Sequence, residues 1–257
     1  GSCSVKAAIL DTGIDQNHED LALKVVANRN FTNSRTVDDQ YGHGTHVAGI
    51  IGASTNNSKG VAGAGYNTCL MNGKVLGDNG SGNYSWIASG ITWAANNGAK
   101  VINMSLGGGS PSSSLETAIN YAWSKGVVIV AAAGNSNTNS PSYPGYYSNV
   151  IAVAATDRND VKASFSNYGS WVDIAAPGVD IYSTLPNHNN RIGLKNYGYL
   201  SGTSMATPFV AGVAALVAAR YPAWTNNDIR NRLLASTDPT TGFSTTLGRV
   251  NALKSVQ

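Results

Sequence analysis

Short, almost wholly apolar stretches recur along this chain, separated by glycine-rich loops and longer helical stretches. Val5-Lys6-Ala7-Ala8-Ile9-Leu10 runs into Asp11-Thr12-Gly13 and predicts a buried strand meeting a turn. Val75-Leu76 precedes the loop Gly77 to Asn83, after which Ser85 to Asn96 reads as a helix. Lys100 to Met104 predicts a strand ending at Ser105-Leu106-Gly107-Gly108. Ser114 to Lys125 predicts a helix, and Val127 to Ala132 a strand ending at Gly134-Asn135. Val150 to Ala154 and Trp171 to Ala175 are further strands, and Ser204 to Arg220 and Asn226 to Ala235 further helices. Apolar strands alternating with helices imply an α/β fold, a mostly parallel sheet covered by helices on both faces. Such sheets bind ligands at the carboxyl ends of their strands. Asp11, Ser105 to Gly107 and Gly134-Asn135 fall there. No linker, composition break or repeat intervenes, so residues 1–257 read as one domain.

The 257 residues are 42% apolar and 12% charged, a balance that excludes a disordered chain. Seventeen basic side chains against 14 acidic give +3, too even for a nucleic-acid or polybasic membrane surface. The longest apolar run, Val210 to Ala219, is too short for a bilayer and suits a buried helix. Cys3 and Cys69 form either one bridge or two buried thiols; their spacing fits no metal site or CxxC pair.

Three segments carry candidate chemistry. Asp11 follows the first strand, where an Asp is also an ordinary turn residue. His43-Gly44-Thr45-His46 places two histidines three apart, but no Glu or third ligand stands at zincin spacing. A general base needs one such His with its second nitrogen held by an acceptor. Gly202-Thr203-Ser204-Met205-Ala206 puts a Ser at the start of an apolar helix. It is either an N-cap or a nucleophile at an electropositive helix end.

Together with Asn103-Met104-Ser105-Leu106-Gly107-Gly108 and Ala132-Ala133-Gly134-Asn135, these segments resemble the subtilisin-like serine peptidases, in particular the thermitase and subtilisin branch. The order Asp, His, Ser matches that family and departs from the lipase order, whose Ser sits in GxSxG. The resemblance implies a three-layer subtilisin-like fold and a secreted serine endopeptidase working through an acyl-enzyme. It makes Ser204 the nucleophile, His43 the base, Asp11 its orienting partner, and Asn135 with the Ser204 N–H the oxyanion hole. His46 is structural on this reading. A dedicated esterase and a pseudoprotease are the competing classes; the complete triad speaks against the latter.

The resemblance also places the cleft. Gly80-Ser81-Gly82 and Ser105-Leu106-Gly107 would pair with a substrate strand. Ser105 to Gly107 and Ala132, Ala133 and Gly134 would wall S1, with Ser136 and Ser142 at its rim and floor. No charge there demands Arg or Lys, so large uncharged P1 residues are expected. Leu76, Tyr84, Ile87 and Leu106 would line S4. Calcium is expected at Asp20, Asn57 and the carbonyls of Thr55, Lys59 and Val61, and more weakly at Asp173 with carbonyls near Gly145, Tyr147 and Val150. The family's N-terminal arm, which adds a calcium ligand, is absent from this sequence. The expected partners are protein and peptide substrates and a propeptide in the precursor, with no nucleic acid or membrane and a monomeric state.

Four positions depart from the family. Besides the arm, Phe209 replaces the usual His and should alter only packing. Asn72-Gly73 interrupts an otherwise apolar strand. Asn187 to Tyr197 is an insertion that reads as a solvated loop, with Leu200 beyond it at P1′. Tyr143-Pro144 matches a position where the family has a cis peptide bond.

Overall fold

A computed structural model describes residues 1–245 and 247–257. The chain runs β1 (Lys6–Asp11), β2 (Val25–Asn30), α1 (His43–Gly52), β3 (Cys69–Lys74), α2 (Tyr84–Asn96) and β4 (Ala99–Met104). It continues α3 (Ser113–Ser124), β5 (Val128–Ala132), β6 (Ile151–Thr156), β7 (Ile174–Pro177), β8 (Ile181–Leu185) and β9 (Asn196–Leu200). It closes with α4 (Thr203–Arg220), α5 (Asn226–Ala235), β10 (Thr237–Pro239), β11 (Gly248–Val250) and α6 (Ala252–Val256).

Nine strands form one sheet in the order β10-β11-β7-β6-β5-β4-β1-β3-β2. Among the described residues of this sheet, β10–β11 is the one antiparallel pair. Successive residues of the central strands feed opposite cores. Ala7, Ile9, Val101, Val128 and Val130 join the side of α1, α4 and α5. Ala8, Leu10, Ile102, Met104, Ile129 and Ala131 join the side of α2 and α3. Burial on both faces is why these strands read as continuous apolar runs. α4 is apolar nearly all round, long enough to cross a membrane, and mostly buried against β4 to β7. Local caps set the starts of the flanking helices. Asn83 accepts from Trp86 N at 2.9 Å, and Thr225 and Asp228 form a capping box.

β3 escapes the apolar pattern because its polar residues find partners. Asn72 Nδ2 donates to Asn28 Oδ1 and Val37 O, each at 3.0 Å. Buried Lys74 reaches the Thr12 carbonyl and Asp78 Oδ1, the latter at 3.0 Å. Gly73 marks a close approach, since a Cβ there would lie 2.5 Å from Leu10 Cδ2. Cys3 and Cys69 are bridged, joining the N-terminus to the start of β3. Tyr143-Pro144 is cis, and Phe209 packs against the α1–α4 core, both as expected.

The insertion differs from a solvated loop. Its end enters β9, which pairs antiparallel with β8. Its earlier part is bonded to the turn after β1 and to the segment before α1: Asn187 N to Asp15 Oδ2 at 2.8 Å, Arg191 N to Gln40 O at 3.2 Å, Ile192 N to Tyr41 O at 3.1 Å. Leu200, expected at P1′, is half-buried against the α1–α4 core.

Candidate active site

β1 ends at Asp11, and α1 begins at His43 with its first turn against the same turn of chain. Gly44 permits this approach, because a Cβ there would lie 2.2 Å from Gly13 O. Asp11 is fully buried, and its Oδ1 lies 2.7 Å from His43 Nδ1. A carboxylate can only accept, so Nδ1 carries the proton and the neutral ring keeps its lone pair on Nε2; His43 lines the cleft. Burial pushes the imidazole pKa down. The Asp11 charge and hydrogen bond, with Asp39 adding, outweigh it and hold the pKa above its ordinary value. His46 has a different fate. Its Nε2 donates to the Ile181 and Gly198 carbonyls at 3.0 and 3.1 Å, and burial pushes its pKa down to about 4. It is a neutral brace between α1 and the β8–β9 hairpin.

Asp39 organises the entry to α1 and escaped the sequence reading. Its fully buried carboxylate accepts from Thr12 Oγ1, Tyr41 N and Gly42 N at Oδ1, and from Thr45 N and Oγ1 at Oδ2. These donors include orphan N–H groups of the helix start. Thr12 Oγ1 also accepts from Gly44 N at 2.9 Å, tying the Asp11 turn to the His43 turn.

Ser204 stands in the first turn of α4. Pro208 has no N–H to give the carbonyl four residues earlier, which leaves Ser204 O free. Ser105 Oγ donates to that carbonyl at 2.8 Å, and Ser204 Oγ donates to Ser105 O at 3.2 Å. Asn135 Oδ1 accepts from both Thr203 N and Thr203 Oγ1, at 2.8 and 3.0 Å. Its acceptor end is thereby committed, and Nδ2 remains to donate beside Ser204.

The expected cleft residues divide between two adjoining cavities that share Leu106 to Gly108. One is lined by His43, Leu76, Gly80, Ser81, Gly82, Tyr84, Ile87 and Ser105, together with Tyr143, which the sequence reading missed. The other is lined by Ala132, Gly134, Asn135, Ser136, Ser142 and Ser204. No charged side chain lines the second cavity. Ala133 is the exception to the expected set, since it packs into the core with Ala154, Val172 and Ala175.

The calcium expectation fails a test of donor chemistry. Calcium requires converging oxygen lone pairs. Asp20 is instead met by protons: Asn57 Nδ2 at 2.5 Å, Val61 N at 3.0 Å and Tyr197 OH at 3.1 Å. Asn57 Oδ1 accepts from Lys59 N, which turns its amide nitrogen toward Asp20, and Lys59 pairs with Glu19. The Thr55 to Val61 loop packs on Tyr197 from the insertion, where a Cβ at Gly60 would lie 2.3 Å from the Tyr197 ring. At the second place, Asp173 accepts from Ala152 N and pairs with Arg230 at 3.1 Å. The Tyr147 carbonyl accepts from Val150 N. A guanidinium already stands where a metal would neutralise Asp173, so the Gly145 to Val150 turn does not fit a cation.

Residues 3–252 match the Subtilase family. The chain is 52% identical over 255 residues to thermitase of Thermoactinomyces vulgaris, covering 98% of this chain and 88% of that protein. It is 48% identical to a thermophilic serine proteinase of a Bacillus species, covering all of this chain and 62% of that longer protein. A protease structure from Pseudoalteromonas arctica superposes with a TM-score of 0.92 at 37% identity, over 99% of this chain and 90% of that one. The motifs, the sheet order and these matches agree: the chain belongs to the Subtilase family and is a subtilisin-like serine protease.

Proposed function

We propose that the enzyme cleaves internal peptide bonds through an acyl-enzyme on Ser204, with His43 as base and Asp11 as its orienting partner. The observation that carries this is the 2.7 Å contact of buried Asp11 with His43 Nδ1, beside a Ser204 flanked by a pinned Asn135 amide. Ser204 Oγ leaves the Ser105 carbonyl, gives its proton to His43 Nε2 and attacks the substrate carbonyl. Asn135 Nδ2 and the Ser204 N–H, at the positive end of α4, receive the oxyanion. His43 then protonates the leaving amine, and water releases the acid by the same steps.

Specificity follows from the cavities. Leu106 and Gly107 make no backbone hydrogen bond of their own among the described residues, which leaves an edge for a substrate strand. The uncharged second cavity suits large uncharged P1 side chains; Leu76, Tyr84, Ile87 and Leu106 suit an apolar P4. Residues 1–257 act as one catalytic domain, because the sheet takes strands from β1 to β11. The substrates are proteins and peptides, and the protein is a secreted monomer whose precursor carries a propeptide. The disulfide accords with an oxidising compartment. Structural calcium is common in the family, but neither candidate loop supports it here.

Cleavage of unfolded casein, with and without a fluorophosphonate, and mass mapping of the label test the reading. Label on Ser204 with loss of cleavage is expected. Label without any protein cleavage would refute an endopeptidase in favour of an esterase.

A further inference from the structure

A second group of titratable side chains lies outside the catalytic site. Asp15 is buried in the turn after β1, Asp38 is half-buried before α1, and His188 belongs to the insertion. One ligand atom from each lies within 4.8 Å of the others. We propose that Asp15, Asp38 and His188 bind a divalent transition-metal ion, with zinc the best match, and that this ion clasps the insertion to the approach to His43.

The histidine carries the argument. Nδ1 lies 3.0 Å from the Asn189 carbonyl, which can only accept, so Nδ1 holds a proton. In the neutral ring Nε2 then offers its lone pair. That atom is buried and has no hydrogen-bond partner, although Asp38 Oδ2 is only 3.0 Å away. Metal-bound histidines commonly donate their other N–H to a backbone carbonyl in this way. Around tetrahedral zinc with bonds of about 2.0–2.1 Å, neighbouring ligand atoms stand about 3.3 Å apart. The His188–Asp38 separation is already close to that, and Asp15 must approach by no more than about 1.5 Å.

The carboxylates are disposed to match. Asp15 Oδ1 and Oδ2 accept from Asn17 N and Asn187 N, both at 2.8 Å, which fixes the group and leaves a lone pair on each oxygen. Asp38 accepts from Asp39 N. An imidazole with two carboxylates favours zinc, cobalt or nickel over calcium or magnesium, which prefer all-oxygen cages. Water would complete the coordination. Beyond His188, Arg191 and Ile192 are tied by their backbone N–H groups to Gln40 and Tyr41, and Tyr41 lines the substrate cleft. An ion here would couple that stretch to the cleft wall and withhold it from self-digestion.

The test uses the Ser204→Ala protein, stripped of metal, so that self-cleavage does not intervene. Cobalt should bind with one equivalent and give the visible absorption of a tetrahedral site, and zinc should displace it. Zinc should raise the melting temperature by several degrees. His188→Gln should abolish the band and weaken zinc binding at least tenfold while leaving the circular dichroism unchanged; Asp38→Asn should weaken it as well. Two results overturn the proposal. One is no band and no zinc-dependent shift in the parent, in which case His188 and Asp38 form an ion pair only. The other is a band of equal strength in His188→Gln.

Discussion

Replacing Asp39 by Asn tests how far the catalytic histidine depends on one buried carboxylate. The change is nearly isosteric, so its effect is electrostatic. Five donors converge on the two oxygens, three on Oδ1 and two on Oδ2. An Asn amide keeps one oxygen and turns two N–H bonds outward. If the nitrogen replaces Oδ2, the Thr45 hydroxyl can rotate and accept, but the buried Thr45 N–H is left facing another donor. The other orientation strands two backbone N–H groups and is worse. The better arrangement loses one hydrogen bond to a charged group, about 1.5–3 kcal/mol, and leaves one buried N–H unsatisfied, about 1–3 kcal/mol more. A loss of about 2.5–6 kcal/mol follows, or roughly 10 °C in Tm for a chain of this size. The activity carries a second signature. His43 must be neutral to act, and in the parent its pKa lies above its ordinary 6.5, so the acidic limb of kcat/KM lies above that pH. Removing the Asp39 charge favours the neutral ring, so the limb moves to lower pH as kcat falls. Thermal unfolding on the Ser204→Ala background and a pH–rate profile of the active Asp39→Asn enzyme measure the two effects. A melting temperature within about 2 °C of the parent, or a limb displaced to higher pH, would refute the reasoning.

Asn135→Ala should lower kcat by about 10²–10³, the loss known for a donor of this type in a subtilisin, with KM little changed; steady-state peptide hydrolysis checks it. Tyr197→Phe removes the hydroxyl donated to Asp20 and should cost about 1–2 kcal/mol in chemical denaturation. On the metal-stripped parent, millimolar calcium should move Tm by less than about 1 °C, and a shift of several degrees would restore the calcium reading. Replacing Cys3 and Cys69 by Ser opens a link between positions 66 residues apart and should cost about 4 kcal/mol on the chain-entropy account, read by denaturant unfolding.

The elements visible in the sequence are those whose burial is self-evident in one dimension. β1, β4 and β5 are apolar on both faces, and α4 is apolar all round, so their runs stand out. β3 does not, because Asn72 and Lys74 are tolerated only through partners on distant segments. β9 and β11 are short and exist through their pairings. The site shows the same division. Asp11, His43, Ser204 and Asn135 lie in recognisable motifs, whereas Asp39 has no motif and matters through five donors gathered in space. The Thr55 to Val61 loop looks like a calcium loop until Tyr197 arrives from far along the chain. The insertion reads as solvated because its partners, Asp15, Asp20 and the Gln40 and Tyr41 carbonyls, lie far away along the chain.

The paired bonds between Ser105 and Ser204 bear on the alignment of the bond to be cut. On the proposed mechanism Ser105 begins the edge for the substrate strand, and Ser204 supplies the oxygen that attacks it. Each holds the other by one side-chain and one main-chain oxygen. When Oγ departs to react, the Ser105 hydroxyl still grips the carbonyl that Pro208 left free. On the proposed mechanism the anvil and the hammer would therefore keep a common hinge. A misplaced substrate strand shifts relative to both together, so errors of alignment should appear as slower capture rather than as attack on the neighbouring peptide bond.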